Sequence, residues 1–208
     1  MKYKLAIFDF DGTLADSYPF FQGVQSELAD KYNFKELSME ELESFNGDPR
    51  KMMSRVGMPL WKLPFVMNSA RKMMAERINQ IPLFDGVGNM LQVLSKGRVV
   101  LSLITSNSHA NVSNKLGAEN MAIMFDPQFN TSLFGKGPRL KKLLRKAKID
   151  PSQTIYIGDE IRDLKASNAQ NISFGAVTWG YTRIDILKEH SPAEVFYSVD
   201  DIVEKIIG

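Results

Sequence analysis

The chain has 208 residues, 26 Lys and Arg against 24 Asp and Glu, and no cysteine. That length can bury a substantial core, as one large domain or as a core with a smaller insert. A net charge of +2 predicts no general affinity for nucleic acid or anionic membrane, and the missing thiols exclude disulfides, thiolate metal sites and cysteine nucleophiles.

Met1-Lys2-Tyr3-Lys4 is basic, but the apolar run behind it is cut by Asp9, too early for an export signal. No stretch reaches the roughly 18 uncharged apolar residues of a membrane span, so a soluble, cytoplasmic protein is expected. Leu5-Ala6-Ile7-Phe8 then reads as a buried strand ending at a charged lip, Asp9-Phe10-Asp11-Gly12-Thr13. In an extended chain Asp9 and Asp11 would face the same side. Two anions that close require a shared cation, a proton on one of them, or a turn at Phe10.

Asp16-Ser17-Tyr18-Pro19 breaks the pattern, and residues 20–80 hold no convincing strand. Four helices are expected there: Phe20–Lys31, Met39–Phe45, Arg50–Val56 and Pro64–Gln80. Ser38 and Glu41 have the spacing of a capping box, and Phe45-Asn46-Gly47-Asp48-Pro49 is a turn. Seven of the eleven methionines fall in this segment and read as gap-filling core.

From Ile81 onward strands and helices alternate. Gly86-Val87-Gly88 lacks both a preceding strand and a third glycine, so it is not a dinucleotide motif. A helix Val87–Ser95 leads to a strand Arg98–Thr105 that ends in Thr105-Ser106-Asn107-Ser108. A helix Ala110–Leu116 and a weak strand Met121–Phe125 follow. Pro138–Lys148 is an amphipathic helix, and its basic face reads as solvated, because no aromatics interleave with the charges. The strand Thr154–Gly158 ends in Asp159. A helix Arg162–Asn168, strands Ile172–Thr178 and Glu194–Ser198, and a helix Val199–Ile207 complete the chain. Near-continuous apolar strands separated by helices imply a parallel sheet covered on both faces, with ligands at the carboxyl ends of the strands.

Those ends carry Asp9 and Asp11; Thr105, Ser106 and Asn107; Lys136, isolated in Phe134-Gly135-Lys136-Gly137-Pro138; and Asp159 with Asp163. Carboxylates, a hydroxyl and a lysine suit a hard cation together with a phosphate. In order and type these features resemble the four motifs of the haloacid dehalogenase superfamily, over essentially the whole chain. The phosphoglycolate phosphatase-like subfamily with an α-helical cap is the nearest in pattern.

The resemblance implies a Rossmann-like α/β/α core, residues 1–17 and 81–208, with an inserted all-α cap, residues 18–80. It implies a Mg2+-dependent phosphatase acting on a small phosphorylated metabolite through an aspartyl-phosphate. Asp9 would be the nucleophile and Asp11 the general acid and base; Thr105, Ser106, Asn107 and Lys136 would bind phosphate, with Lys141 and Lys142 as other candidates for the lysine. Asp9, Asp11 through its carbonyl, Asp159 and Asp163 would hold the metal. Arg50, after the cap turn, would bind the substrate. Asp11 argues against dehalogenation and phosphonate cleavage, whereas a phosphosugar mutase, or a binding module with feeble catalysis, remains an alternative. A monomer or homodimer without nucleic-acid or membrane partners is expected. Glu160 departs from the small hydroxyl residue frequent in relatives.

Overall fold

The computed structural model describes residues 2–38, 41, 49–131 and 136–208, without the side chains of Pro49, Arg50, Met52, Arg71 and Met74. At its centre is β1, Leu5–Phe8, whose four residues are all buried. It pairs in parallel on one side with β2, Val100–Leu103, and on the other with β3, Thr154–Gly158. β4, Ser173–Val177, and β5, Glu194–Phe196, extend the parallel sheet to the order β2-β1-β3-β4-β5.

The apolar runs are continuous because each face of the sheet has its own core. Ala6, Phe8, Leu101, Leu103, Ile155 and Ile157 point to one face. There they meet α4, Val87–Lys96, α5, His109–Ala122, and α9, Val199–Ile207. Leu5, Ile7, Tyr156, Phe174 and Ala176 point to the other, against α6, Lys136–Ala147, α7, Ile161–Asn168, and α8, Ile184–Glu189. Period-two alternation thus feeds two layers at once. Each fully buried Leu, Ile or Phe contributes roughly 1.5–3 kcal/mol relative to exposure, so this double core dominates the stability.

Between Ser17 and Ile81 the described chain is helical: α1, Tyr18–Tyr32, α2, Pro49–Arg55, and α3, Leu63–Arg77. Val24, Leu28, Leu37, Met53, Val56, Met58 and Val66 form a separate apolar cluster, with Met73 against it. Met53 and Met58 are buried in this cluster and Met73 packs against it, whereas Met67 is half-buried outside it. Ser38 N–H donates to Glu41 Oε2 at 3.0 Å and Glu41 N–H to Ser38 Oγ at 3.2 Å, so the capping box is present. The helix expected over Met39–Phe45 and the turn after it lie outside the described residues, apart from Glu41 and the start of α2. The two segments that join this region to the sheet pair with each other: Asp16 N–H donates to the Pro82 carbonyl at 2.9 Å, Phe84 N–H to the Leu14 carbonyl at 3.0 Å, and Ala15 bridges Leu83.

The strand expected at Met121–Phe125 is not formed. α5 continues to Ala122 past a break at Gly117 (φ 75°, ψ 163°), and the chain then meets the edge of β2 at isolated points, a bridge between Met124 and Leu101 with the Phe125 N–H on the Leu101 carbonyl, and the Gln128 N–H on the Leu103 carbonyl. Asp126, at φ 45°, and Pro127, which has no N–H, interrupt any ladder between them. α8 lies in a stretch where no helix is expected from the pattern, being too short for a periodic signal.

Candidate active site

The strand order 2-1-3-4-5 places a topological switch point between β1 and β3, where doubly wound sheets bind ligands. Asp9 follows β1 there and Asp159 follows β3. Beyond Asp9 the backbone coils around one acceptor: the Phe10 carbonyl receives N–H groups from Thr13, Leu14 and Ala15 at 3.3, 2.9 and 2.9 Å. The chain therefore turns at Phe10, and the two carboxylates acquire different partners.

Asp9 is buried and pairs with Lys136 Nζ through Oδ2 at 2.7 Å, while its Oδ1 accepts the Phe10 N–H at 2.8 Å. Burial alone would raise its pKa, but the Lys136 charge and hydrogen bond and the nearby Arg162 outweigh that, and Asp9 is held below the usual carboxylate range. Asp11 is half-buried and accepts the Asn107 amide at 3.3 Å and 3.2 Å on its two oxygens. Desolvation, with the Asp9 charge next, pushes Asp11 up to about 7.

Lys136, the first residue of α6, is 5 % exposed and also pairs with Asp163 Oδ1 at 2.7 Å. Burial works against its charge, but the Asp163 and Asp9 carboxylates raise its pKa overall. Lys141 and Lys142 are exposed on the same helix, so of the three candidates only Lys136 reaches the carboxylates.

Asp159 is fully buried. Its Oδ1 accepts the Thr13 hydroxyl at 3.0 Å and its Oδ2 the Tyr181 N–H at 2.8 Å. Burial, then the charges of Glu160 and Asp9, raise it well above the ordinary value. Two glycines make room for it. A Cβ at Gly12, whose φ is +74°, would lie 2.2 Å from Asp159 Oδ2, and one at Gly180 would lie 2.0 Å from Asp159 Cβ.

Asp9, Asp159 and Asp163 each offer an oxygen, all within 4.8 Å of one another. Neither Asp163 oxygen has a hydrogen bond of good geometry, and burial with the neighbouring acids pushes that group up to about 8. Three buried carboxylates answered by Lys136 and Arg162 fit a hard divalent cation.

Thr105 is buried, with its Oγ1 accepting the Asn107 N–H at 2.9 Å, and Ser106 is exposed. Asn107, expected at phosphate, holds Asp11, and its Oδ1 accepts from Asn111 Nδ2 and Ser108 N–H at 2.9 Å each. Arg50 belongs to α2, but its side chain lies outside the described residues. Thr13, Ser17, Arg162 and Tyr181 border the acids without having been singled out in the sequence. The signal available was the run Thr178-Trp179-Gly180-Tyr181-Thr182 after an apolar strand, at the sheet end where ligands bind.

The fold and this arrangement of acids define a class, and the chain belongs to the haloacid dehalogenase-like hydrolases, whose family model matches residues 6–177. It is similar to a phosphoglycolate phosphatase of Synechococcus elongatus, 25% identical over 202 residues, 96% of this chain and 95% of that one. It is also similar to an N-acetylmuramic acid 6-phosphate phosphatase of Pseudomonas aeruginosa, 22% identical over 94% of this chain and 90% of the relative. A Lactobacillus plantarum crystal structure, provisionally named a phosphoglycolate phosphatase, superimposes with a TM-score of 0.82 at 25% identity, covering 98% of this chain and 99% of its own. Within the family the chain is an enzyme of the phosphatase kind.

Proposed function

We propose that the chain is a Mg2+-dependent phosphomonoesterase that hydrolyses a small phosphorylated metabolite through an aspartyl-phosphate on Asp9. The observation that carries this reading is the split between two neighbouring carboxyl groups, one held ionised beside Lys136 and the other pushed up to about 7. An ionised carboxylate suits attack on phosphorus, and a carboxyl poised near neutrality suits protonation of a leaving alkoxide.

In this mechanism an Asp9 oxygen bonds to phosphorus as the ester P–O bond breaks, and Asp11 gives its proton to the departing oxygen. Asp11 then takes a proton from water, which attacks phosphorus and releases phosphate and free Asp9. Thr105, Ser106, Asn107 and Lys136 border the phosphate oxygens, with Asn107 also holding Asp11. Asp9, Asp159 and Asp163, with the Asp11 carbonyl, would hold Mg2+, whose charge when bound offsets the repulsion between Asp9 and a phosphate dianion.

Residues 18–80 act in this reading as a cap over a core of residues 1–17 and 81–208, with Arg50 meeting the non-reacting end of the substrate. The relatives named above span phosphoglycolate and N-acetylmuramic acid 6-phosphate, which supports small phosphomonoesters as a class. A cytoplasmic site of action follows from such metabolites.

The purified chain should release nitrophenol from p-nitrophenyl phosphate with magnesium, lose that activity in EDTA and regain it on adding magnesium back. A screen of phosphorylated metabolites for phosphate release then identifies the substrate. No release from any ester would overturn the reading, and movement of phosphate within a sugar without net release would make the chain a mutase.

A further inference from the structure

Both oxygens of Asp159 are taken by donors from neighbouring pieces of chain, the Thr13 hydroxyl on Oδ1 at 3.0 Å and the Tyr181 N–H on Oδ2 at 2.8 Å. Neither donor is placed by the sheet alone. Thr13 lies between the turn at Phe10 and the stem of the helical region, and its carbonyl accepts Trp179 Nε1–H at 3.1 Å. Tyr181 follows Gly180, which must lack a Cβ because Asp159 fills that space, so the backbone just before Tyr181 is the least restricted in the loop. What fixes the loop is the grip of its two aromatic side chains.

That grip closes on the helical region at both of its roots. The Tyr181 ring packs on the start of α1, its centroid 5.6 Å from that of Tyr18 at 45° and 5.6 Å from that of Phe21, edge-on at 83°. Its hydroxyl lies 2.6 Å from that of Ser17, the residue before α1. The Trp179 ring meets Phe84 in the returning segment, with centroids 6.0 Å apart at 62°. The loop after β4 thus touches the entry and the exit of the helical region with its side chains, and holds a carboxylate of the acid cluster with its backbone.

We propose that Tyr181 is a positioning residue for Asp159, and that through it cation binding at Asp9, Asp159 and Asp163 is coupled to the seating of α1. This rests on those acids holding a divalent cation. A carboxylate that loses its orienting donor binds a cation less well even though no ligand has been removed. The coupling is reciprocal: if a seated α1 tightens the cation, a bound cation must favour the seated α1 by the same factor.

The test uses Mn2+ as the probe, its binding to the whole protein followed by loss of the free-ion electron paramagnetic resonance signal. Phe21→Ala changes an apolar side chain that offers a cation no ligand, and it should raise the Mn2+ Kd about 5- to 10-fold. Tyr181→Ala should raise it about 10- to 100-fold. Tyr181→Phe, which keeps the ring and the N–H, should bind nearly as tightly as the wild type. The double variant Phe21→Ala with Tyr181→Ala should bind no worse than Tyr181→Ala alone, because both act through one contact. An unchanged Kd in Phe21→Ala, equal losses in Tyr181→Phe and Tyr181→Ala, or multiplying losses in the double variant would each overturn the proposal.

A second arm needs no variant. In the wild type, saturating Mn2+ should slow amide hydrogen exchange across the start of α1, where the Phe21 N–H is bonded to the Ser17 carbonyl. Exchange there that ignores the cation would overturn the proposal. A wild type that binds no Mn2+ would overturn the proposal together with the cation site, whereas binding without phosphate release from any ester would overturn the phosphatase reading and leave the coupling standing.

Discussion

The sheet core and the helical region between Ser17 and Ile81 are built on different principles. The core places its chemistry by long-range pairing: Asp9, Lys136, Asp159 and Asp163 come from the end of β1, α6, the end of β3 and α7, and are locked by burial, ion pairs and two glycines. The helical region is held by one small cluster in which methionines share the packing, and it leaves Leu60, Trp61 and Phe65 substantially exposed, Trp61 at 67 %. A rigid part can hold reacting atoms to within tenths of an ångström, whereas a softer part tolerates change and suits selection among substrates. Under the proposed function, turnover belongs to the first region and discrimination to the second.

The sharpest way to break that division is Asp9→Asn. It should lower turnover on every ester on the order of 10^4-fold or more while thermal unfolding stays cooperative, because the amide keeps the shape but cannot form the acyl-phosphate. Substantial phosphate release by a pure sample would move the nucleophile elsewhere. Next in size is Gly180→Ala, which forces a methyl group against Asp159. The magnesium needed for half-maximal activity should rise about 10- to 100-fold, as when a group supporting a ligand is displaced. An unchanged magnesium titration would show that Asp159 is not a ligand.

Two smaller tests probe the helical region. Arg50→Ala should lower kcat/KM for the physiological substrate about 10- to 100-fold, or roughly 1.5–3 kcal/mol, through loss of a charge-assisted hydrogen bond. Turnover of p-nitrophenyl phosphate, which has no second anionic group, should hardly change. Parallel losses on both would instead mean a disturbed fit of the two regions. The least effect is expected from Ser38→Ala, which removes one half of the capping box and should cost about 1 kcal/mol in unfolding measurements with turnover intact. A matching fall in kcat would show that the helical region is not as separable as its packing indicates.

Much of the core is legible in the sequence because its signals are local. Continuous apolar runs mark the strands, and Asp9, Asp11 and Asp159 stand where a polar residue interrupts such a run. Lys136 is legible as an isolated lysine between two glycines, although its ion pairs with Asp9 and Asp163 could not be read from the sequence. What escapes is the second layer of contacts. Ser17 reads as part of a chain break and Tyr181 as part of a loop, and only the fold brings their hydroxyls to 2.6 Å. The contact of Asn107 with Asp11 escapes for a related reason: the position of Asn107 after Thr105 suggests phosphate, and only the turn at Phe10 brings Asp11 within reach of its amide as well. The edge of β2 was overread because Met121–Phe125 is apolar enough for a strand, while the interruption by Asp126 and Pro127 comes just after it.

The paired connections at Asp16 with Pro82 and at Leu14 with Phe84 have a consequence for how such chains diversify. Because entry and exit are hydrogen-bonded neighbours, the core sees whatever lies between them as a closed loop. Closure entropy grows only logarithmically, with each doubling of loop length adding about 0.6 kcal/mol. An insert can therefore lengthen, shorten or be exchanged for another with little penalty to the sheet, provided the two-stranded stem is kept. Under the proposed function, substrate preference would then drift by replacement of whole modules while the acids at the strand ends stay where they are.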